Sequence, residues 1–195
     1  MHRKSVLTLL ALALATAGVL LPAQSTLQGD VQKSLRRLAD YGAFDWLSYS
    51  VEGGTVHLSG MVRRPTLRRS ANAAVQRIEG VETVNNEIQV LPVSTVDDRI
   101  RIAAYSAIYG HPQLRKYLPG GGSVRIPPSP RGRSASELVD TGQFHLGAHA
   151  IHIIVERGHI TLLGVVNNRQ DAQIAEIQAK GVDAVFSVVN SLQVQ

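Results

Sequence analysis

A fourteen-residue stretch that occurs twice constrains this chain more than any other feature. Tyr49 to Val62 reads YSVEGGTVHLSGMV and Ile153 to Val166 reads IIVERGHITLLGVV, aligned without gaps at an offset of 104 residues. In both copies large apolar residues alternate: Tyr49, Val51, Val56 and Leu58 in the first, Ile153, Val155, Ile160 and Leu162 in the second. That two-residue period is the signature of a half-buried strand. Gly53-Gly54 and Arg157-Gly158 interrupt it where a two-residue hairpin turn requires positive φ. Arg157 suits such a turn less well than asparagine would, so a slightly longer second loop is an open alternative. Gly60 and Gly164, deeper in the second strand of each hairpin, predict close approach by another backbone, here a helix lying across the strand.

The flanking segments repeat too. Before the first hairpin, Val31, Leu35, Leu38 and Ala39 line one face of a helix, with Lys33, Arg36 and Arg37 outward. After it, Pro65 opens a helix over 65–79, with Leu67, Ala71, Ala74, Val75 and Ile78 inward and Gly80 closing it. An extended segment from Val81 to Val90 completes the unit. The second unit places Val96, Ile100, Ala103 and Ala104 on a first helix at an offset of 65, whereas its hairpin and final strand return at 104, so 39 residues are inserted between them. Gly60, Val62, Ala71, Val84, Asn86 and Val90 recur as Gly164, Val166, Ala175, Val188, Asn190 and Val194. This is an internal duplication. Gly181 falls out of alignment with Gly80, which predicts that the second unit's later helix ends three residues early.

The expected fold is therefore α+β: two αββαβ units, each a three-stranded mixed sheet covered by two helices. The units span 26–91 and 96–195, the latter with an insertion over about 111–150. Near-identity of the copies suggests sheets side by side about a pseudo-twofold axis. Within the insertion, Leu118 to Arg133 holds Gly120 to Gly122 and three prolines and reads as a mobile loop. Ser134 to Glu137 has the pattern of a capping box that starts a short helix through Val139, and Gln143 to Ala150 leads back into the sheet.

Residues 1–23 read as a signal peptide, with His2, Arg3 and Lys4 ahead of the apolar run Val6 to Leu21 and Ala23 at the cleavage position. The run is short for a membrane span of roughly 20 residues. Removing it lowers the formal charge from +5 to +3, too mild for a nucleic-acid binder. The chain has no cysteine, which excludes disulfides, iron–sulfur clusters and thiolate zinc sites.

The order αββαβ, the hairpin pattern G-x-V-x-L-x-G-x-V at Gly54 to Val62 with its counterpart at Gly158 to Val166, and the closing V-x-N-x-I/L-x-V at Val84 to Val90 and Val188 to Val194 resemble the BON domain of exported Gram-negative proteins. The resemblance covers nearly all the chain beyond the signal except the insertion of about forty residues. It implies a periplasmic protein, peripheral to the outer membrane, that binds phospholipid and supports envelope integrity. Its motifs are structural: Gly54, Gly60, Gly158 and Gly164 belong to the fold and not to chemistry.

Function has to be read from sites. No catalytic residues are found: there is no G-x-S-x-G elbow, and no phosphate-loop or dinucleotide fingerprint. Asp97 and Asp98 open a helix, where they complement its dipole. His145, His149, His152 and His159, with His111 further off, lack the spacing and the accompanying acid of a zinc site, so they read as ordinary surface histidines. No enzyme activity, metal or cofactor is expected. The candidate binding residues are basic. Arg63, Arg64, Arg68 and Arg69 cluster at the start of a helix, and Arg36 and Arg37 lie on another, as anionic headgroups require. Trp46 and Tyr49 are candidate interfacial anchors, although Tyr49 alternates as core. The expected partner is an anionic phospholipid surface. The alternative is a periplasmic adaptor that docks an envelope protein through the Pro/Gly loop or a sheet edge.

Overall fold

The computed structural model describes residues 26–119 and 149–195. The N-terminal stretch 1–23, the Pro/Gly loop beyond 119, the short helix expected from Ser134 and most of the segment from Gln143, with His145, lie outside those residues.

Each hairpin forms where the alternation places it. In the first unit α1 (Leu27–Arg36) precedes β1 (Trp46–Glu52) and β2 (Thr55–Val62); α2 (Pro65–Gln76) then crosses over to β3 (Thr83–Asn86) and β4 (Gln89–Val90). In the second, α3 (Thr95–Gly110) and a 3-10 turn (Arg115–Tyr117) precede β5 (Ile151–Glu156), β6 (His159–Val166), α4 (Arg169–Lys180) and β7 (Ser187–Val194). β2 and β6 are the central strands. Each pairs antiparallel with the strand before it and parallel with the strand that follows the helical crossover. The sheets are thus mixed, as expected. The last strand of the first unit breaks at Glu87-Ile88, so that sheet counts four strands where three were expected.

An asparagine accounts for the behaviour of the last strand in both units. The Asn86 amide donates to the Arg68 carbonyl at 3.1 Å while its Oδ1 accepts from the Ile88 N–H at 3.1 Å. Asn190 does the same with Ala172 at 2.9 Å and Leu192 at 3.2 Å. The asparagine of the closing motif therefore ties the parallel strand to the crossover helix and satisfies a backbone donor beside it. Val56, Leu58, Leu67, Ala71 and Val75 fill the first core, and Ile153, Ile160, Leu162, Ala175 and Ala179 fill the second.

The expected two-residue turn forms at Arg157 and Gly158, both at positive φ, +50° and +77°, and the longer-loop alternative falls away. Other expectations change. Gly60 and Gly164, at φ of +124° and +125°, are crowded by their partner strand and not by a helix. A Cβ there would meet the carbonyl oxygens of Trp46 and Ala150 at 2.0 Å. α4 ends at the position aligned with the end of α2, and not three residues early. The left-handed role of Gly80 (φ +87°) passes to Ala184 (φ +65°), so the mismatch at Gly181 is a change of residue type and not of helix length. On α3 the buried face is rotated: Val96 is 51% exposed, while Asp97, Asp98 and Arg101 are buried beside Ile100 and Ala104.

Among the described residues no strand pair joins the two sheets, which form separate hydrogen-bonded sheets. The connection before β1 makes the joint. Ala43 and Phe44 lie in the second unit's core, and the Ala43 carbonyl accepts from the Ile153 N–H on the edge of β5 at 2.7 Å. Phe44 meets Tyr105 edge-on at 5.9 Å. The first unit's own chain thus completes the second.

Candidate functional site

The six arginines do not form one cluster, because two of them are used to hold the joint. Pro65 starts α2 immediately after Arg63 and Arg64, which turns both back toward the connection between the units. The Arg63 side chain is only 11% exposed and its Nη1 lies 3.4 Å from Asp98 Oδ1. Asp98 in turn pairs with the buried Arg101 at 2.6 Å, and Arg101 Nη2 donates to the Val155 carbonyl on β5. Burial pulls the Arg101 guanidinium below the usual arginine range, and Asp98 opposes that pull. Arg64 pairs with Asp40 at 3.4 Å and also donates to its carbonyl.

Arg68 and Arg69 lie one turn further along α2, exposed, and form no ion pair among the described residues. With Pro65, Asn72, Asn86 and Val90 they line a shallow groove between α2 and the last strand. Arg68 Nη2 rests 3.4 Å from the Asn86 carbonyl. α2 begins at Arg64 without a side-chain cap, unlike α3 and α4, whose Ser94 and Asn168 accept from Asp97 N and Asp171 N. The groove therefore combines two unneutralised guanidinium groups with a helix start whose first N–H groups have no side-chain acceptor. Arg36 and Arg37 are exposed at the far end of α1, and Arg36 lines a different depression.

That depression is a cleft of about 500 Å³ between the units, walled by Leu35, Tyr41, Trp46, Leu47, Tyr49 and Val165, with His152 and Asn167 among its polar groups. Trp46 and Tyr49 thus belong to the cleft wall. Trp46 meets His152 edge-on at 5.1 Å, and Tyr41 stacks on the same ring at 5.2 Å. Burial pushes the Tyr41 hydroxyl up to about 12.

The histidines scatter. His149 and His152 are buried and His159 is exposed beside Ser187; His145 lies outside the described residues. His152 Nδ1 lies 3.1 Å from the Gly42 carbonyl, and burial pushes its ring down to about 4. It is a neutral core histidine. Among the described residues no group of three or more His, Asp or Glu side chains converges as a metal site would need.

Three of the buried acids have roles beyond the sequence reading, in which Asp97 and Asp98 are dipole partners only and Asp45 has no role. Asp97 accepts the backbone N–H groups of Arg157 and Gly158 at 3.0 and 2.8 Å, so it caps the second hairpin turn from α3. Asp98 bridges Arg63 and Arg101. Asp45 accepts from Arg63 N at 2.7 Å and Gly42 N at 3.3 Å, and burial pushes its carboxyl up to about 6 against the pull of those two N–H groups. The helix dipole explains only where Asp97 and Asp98 start. A signal was present: Arg101 stands on the apolar face of α3, three residues from Asp98, the spacing of a side-chain pair.

Compared with known proteins, the chain matches the family model described as BON domain over residues 24–92 and 133–195. The second match begins after α3, although α3 packs on β5 and α4 much as α1 packs on β1 and α2. No curated protein matches the chain. Among solved structures, it is similar to the C-terminal domain of CdsD, a structural protein of the type III secretion system of Chlamydia trachomatis. The identity is 13% and the TM-score 0.28, covering 88% of this chain and 98% of that one. A second CdsD structure aligns at 12% identity and TM-score 0.27, covering 87% and 92%.

Proposed function

The chain belongs to the BON domain family, and from that premise we propose that it is a non-enzymatic envelope protein of the periplasm that attaches to anionic phospholipid surfaces. The observation that carries this reading is the exposed Arg68–Arg69 pair on α2, which forms no ion pair among the described residues. A headgroup phosphate at this groove meets two guanidinium groups and the uncapped start of a helix, each a favourable partner for an anion. Arg36 and Arg37 add charge to the same unit. Basic groups near an anionic membrane each contribute about 1 kcal/mol, so a handful of arginines gives reversible, salt-sensitive attachment.

Arg63 and Arg64 play no part in this reading, since both pair within the protein. No cofactor enters it, and nucleic acid is not a partner. The test is co-sedimentation with vesicles of anionic and of zwitterionic lipid across a salt series. Binding confined to anionic vesicles, weakened by salt and by Arg68→Glu with Arg69→Glu, supports the reading. Equal recovery on both vesicle types, or no effect of the double reversal, overturns it.

A further inference from the structure

The duplication provides an internal control. Two segments fold to the same plan, so a residue type that differs between aligned positions is not dictated by that plan. On the sheet face turned away from the helices the first unit carries Ser48, Ser50, His57, Ser59 and Asn85, with the pair Trp46 and Met61 only at the end next to the joint. At the aligned positions of the second unit, Ser59 becomes Leu163 and Asn85 becomes Val189. Glu82, beside the first hairpin turn, becomes Phe186 beside the second.

The result is an apolar patch of Leu163 and Val189 on the outer face of β6 and β7, with Phe186 just before β7. Phe186 is 78% exposed and Val189 54%. The Phe186 ring lies 5.8 Å from that of His159, and Val189 stands beside Thr161 in the register. Exposed apolar groups gathered on one face mark an interaction surface. The same face already serves as one, because its β5 side is covered by the first unit: Tyr41 and Trp46 lie on His152, and Ile154 is buried. On β6, Val165 still faces the first unit across the cleft; further out, Val189 and Phe186 continue that face exposed among the described residues.

Charge selects the occupant. From Val185 to Gln195 there is no ionisable residue, and from His159 to Asn168 only His159. At the turn end Arg157 lies 3.8 Å from Glu156, its neighbour of opposite sign. An anionic membrane needs basic groups on the face it meets, and this one has none. A twofold contact between identical faces instead requires self-complementarity, and a charge-free apolar patch supplies it, since no like charges are brought together. We propose that the outer face of β6 and β7 binds the same face of a second copy of this chain, packing the two sheets against each other.

Sedimentation equilibrium on the purified chain tests this, alone and as Leu163→Ser with Val189→Asn. Both substitutions install the residue that the first unit carries at the aligned position, so the fold accommodates them, and an unchanged circular dichroism melt confirms it. The expected result is a mass twice that of the monomer at high concentration, returning to the monomer mass in the double variant. As a second measurement, Ser191→Cys introduces a single thiol on the exposed strand, and a short bis-maleimide should join two copies through it. A monomer at every concentration, or a dimer indifferent to the double variant, overturns the proposal. So does a monomer that binds vesicles through Val189.

Discussion

The carboxylate of Asp97, at the start of α3, holds the N–H of Gly158 at 2.8 Å across sixty-one residues of chain. A second oxygen takes the Arg157 N–H at 3.0 Å. The hairpin turn of the second unit is thereby closed from outside itself, which lets a residue other than glycine or asparagine occupy its first position. Asp97→Ala leaves two buried or part-buried N–H groups without their acceptor. It should destabilise the protein by about 1–3 kcal/mol, read as a lower urea midpoint at unchanged slope, while Asp97→Glu should lose less.

Ala184 takes a left-handed conformation where the first unit has Gly80. The left-handed region costs an L-residue roughly 1–2 kcal/mol, partly offset by the greater chain entropy that glycine loses on folding. Ala184→Gly should therefore raise stability by about 0.5–1 kcal/mol. Gly80→Ala should lower it by a similar amount. Nothing lies within 4 Å of a Cβ at Gly80, so that cost is purely conformational. Thermal melts of the two variants should move in opposite directions.

Gly164→Ala differs in kind, because its Cβ would lie 2.0 Å from the Ala150 carbonyl oxygen at a φ of +125°. Strand and clashing atom are both backbone and cannot rotate aside. The expected loss is at or above the roughly 3 kcal/mol upper end of overpacking costs, seen as failure to recover folded protein or as a melt far below that of Gly80→Ala. Gly60→Ala, with Trp46 in place of Ala150, should behave alike.

Two buried titrating groups at the joint act in opposite senses. His152, held at about 4, favours the folded state above the ordinary histidine value and loses that contribution as pH falls from about 6.5 towards 4. Asp45, raised to about 6, favours the folded state at low pH and loses its contribution as pH rises from about 4 through 6. Each is worth about 3 kcal/mol at one pH unit per 1.36 kcal/mol. Between pH 4 and 6 the two slopes largely cancel in the native protein. In Asp45→Asn stability should fall on acidification across that window; in His152→Gln it should rise. Urea denaturation at half-unit steps of pH reads both slopes.

The secondary structure was largely legible because it depends on local periodicity. Alternation at Val56 and Leu58, helical spacing at Leu67, Ala71 and Val75, and the recurrence of Asn86 as Asn190 all speak through neighbours in sequence. The joint was not. Nothing local in Ala43, Phe44 or Asp45 points to the second unit, yet Phe44 fills the second core and Asp45 binds Arg63 N. Of the basic cluster, spacing alone grouped Arg63 and Arg64 with Arg68 and Arg69. Whether a guanidinium is free depends on which acids the fold brings near it, and Asp98 lies thirty-five residues from Arg63.

By itself the sequence determined that this chain is two copies of one αββαβ plan, with both hairpins, both crossover helices and the asparagine that locks each last strand. Those features follow from backbone geometry and burial periods that repeat within a few residues. Tertiary structure alone decided that the copies interlock through Gly42 to Asp45, that two of six arginines are turned inward, and that the second sheet exposes Val189 and Phe186. These outcomes rest on contacts between residues distant in sequence. Their free energy comes from burial and charge pairing that exist only after the units have met.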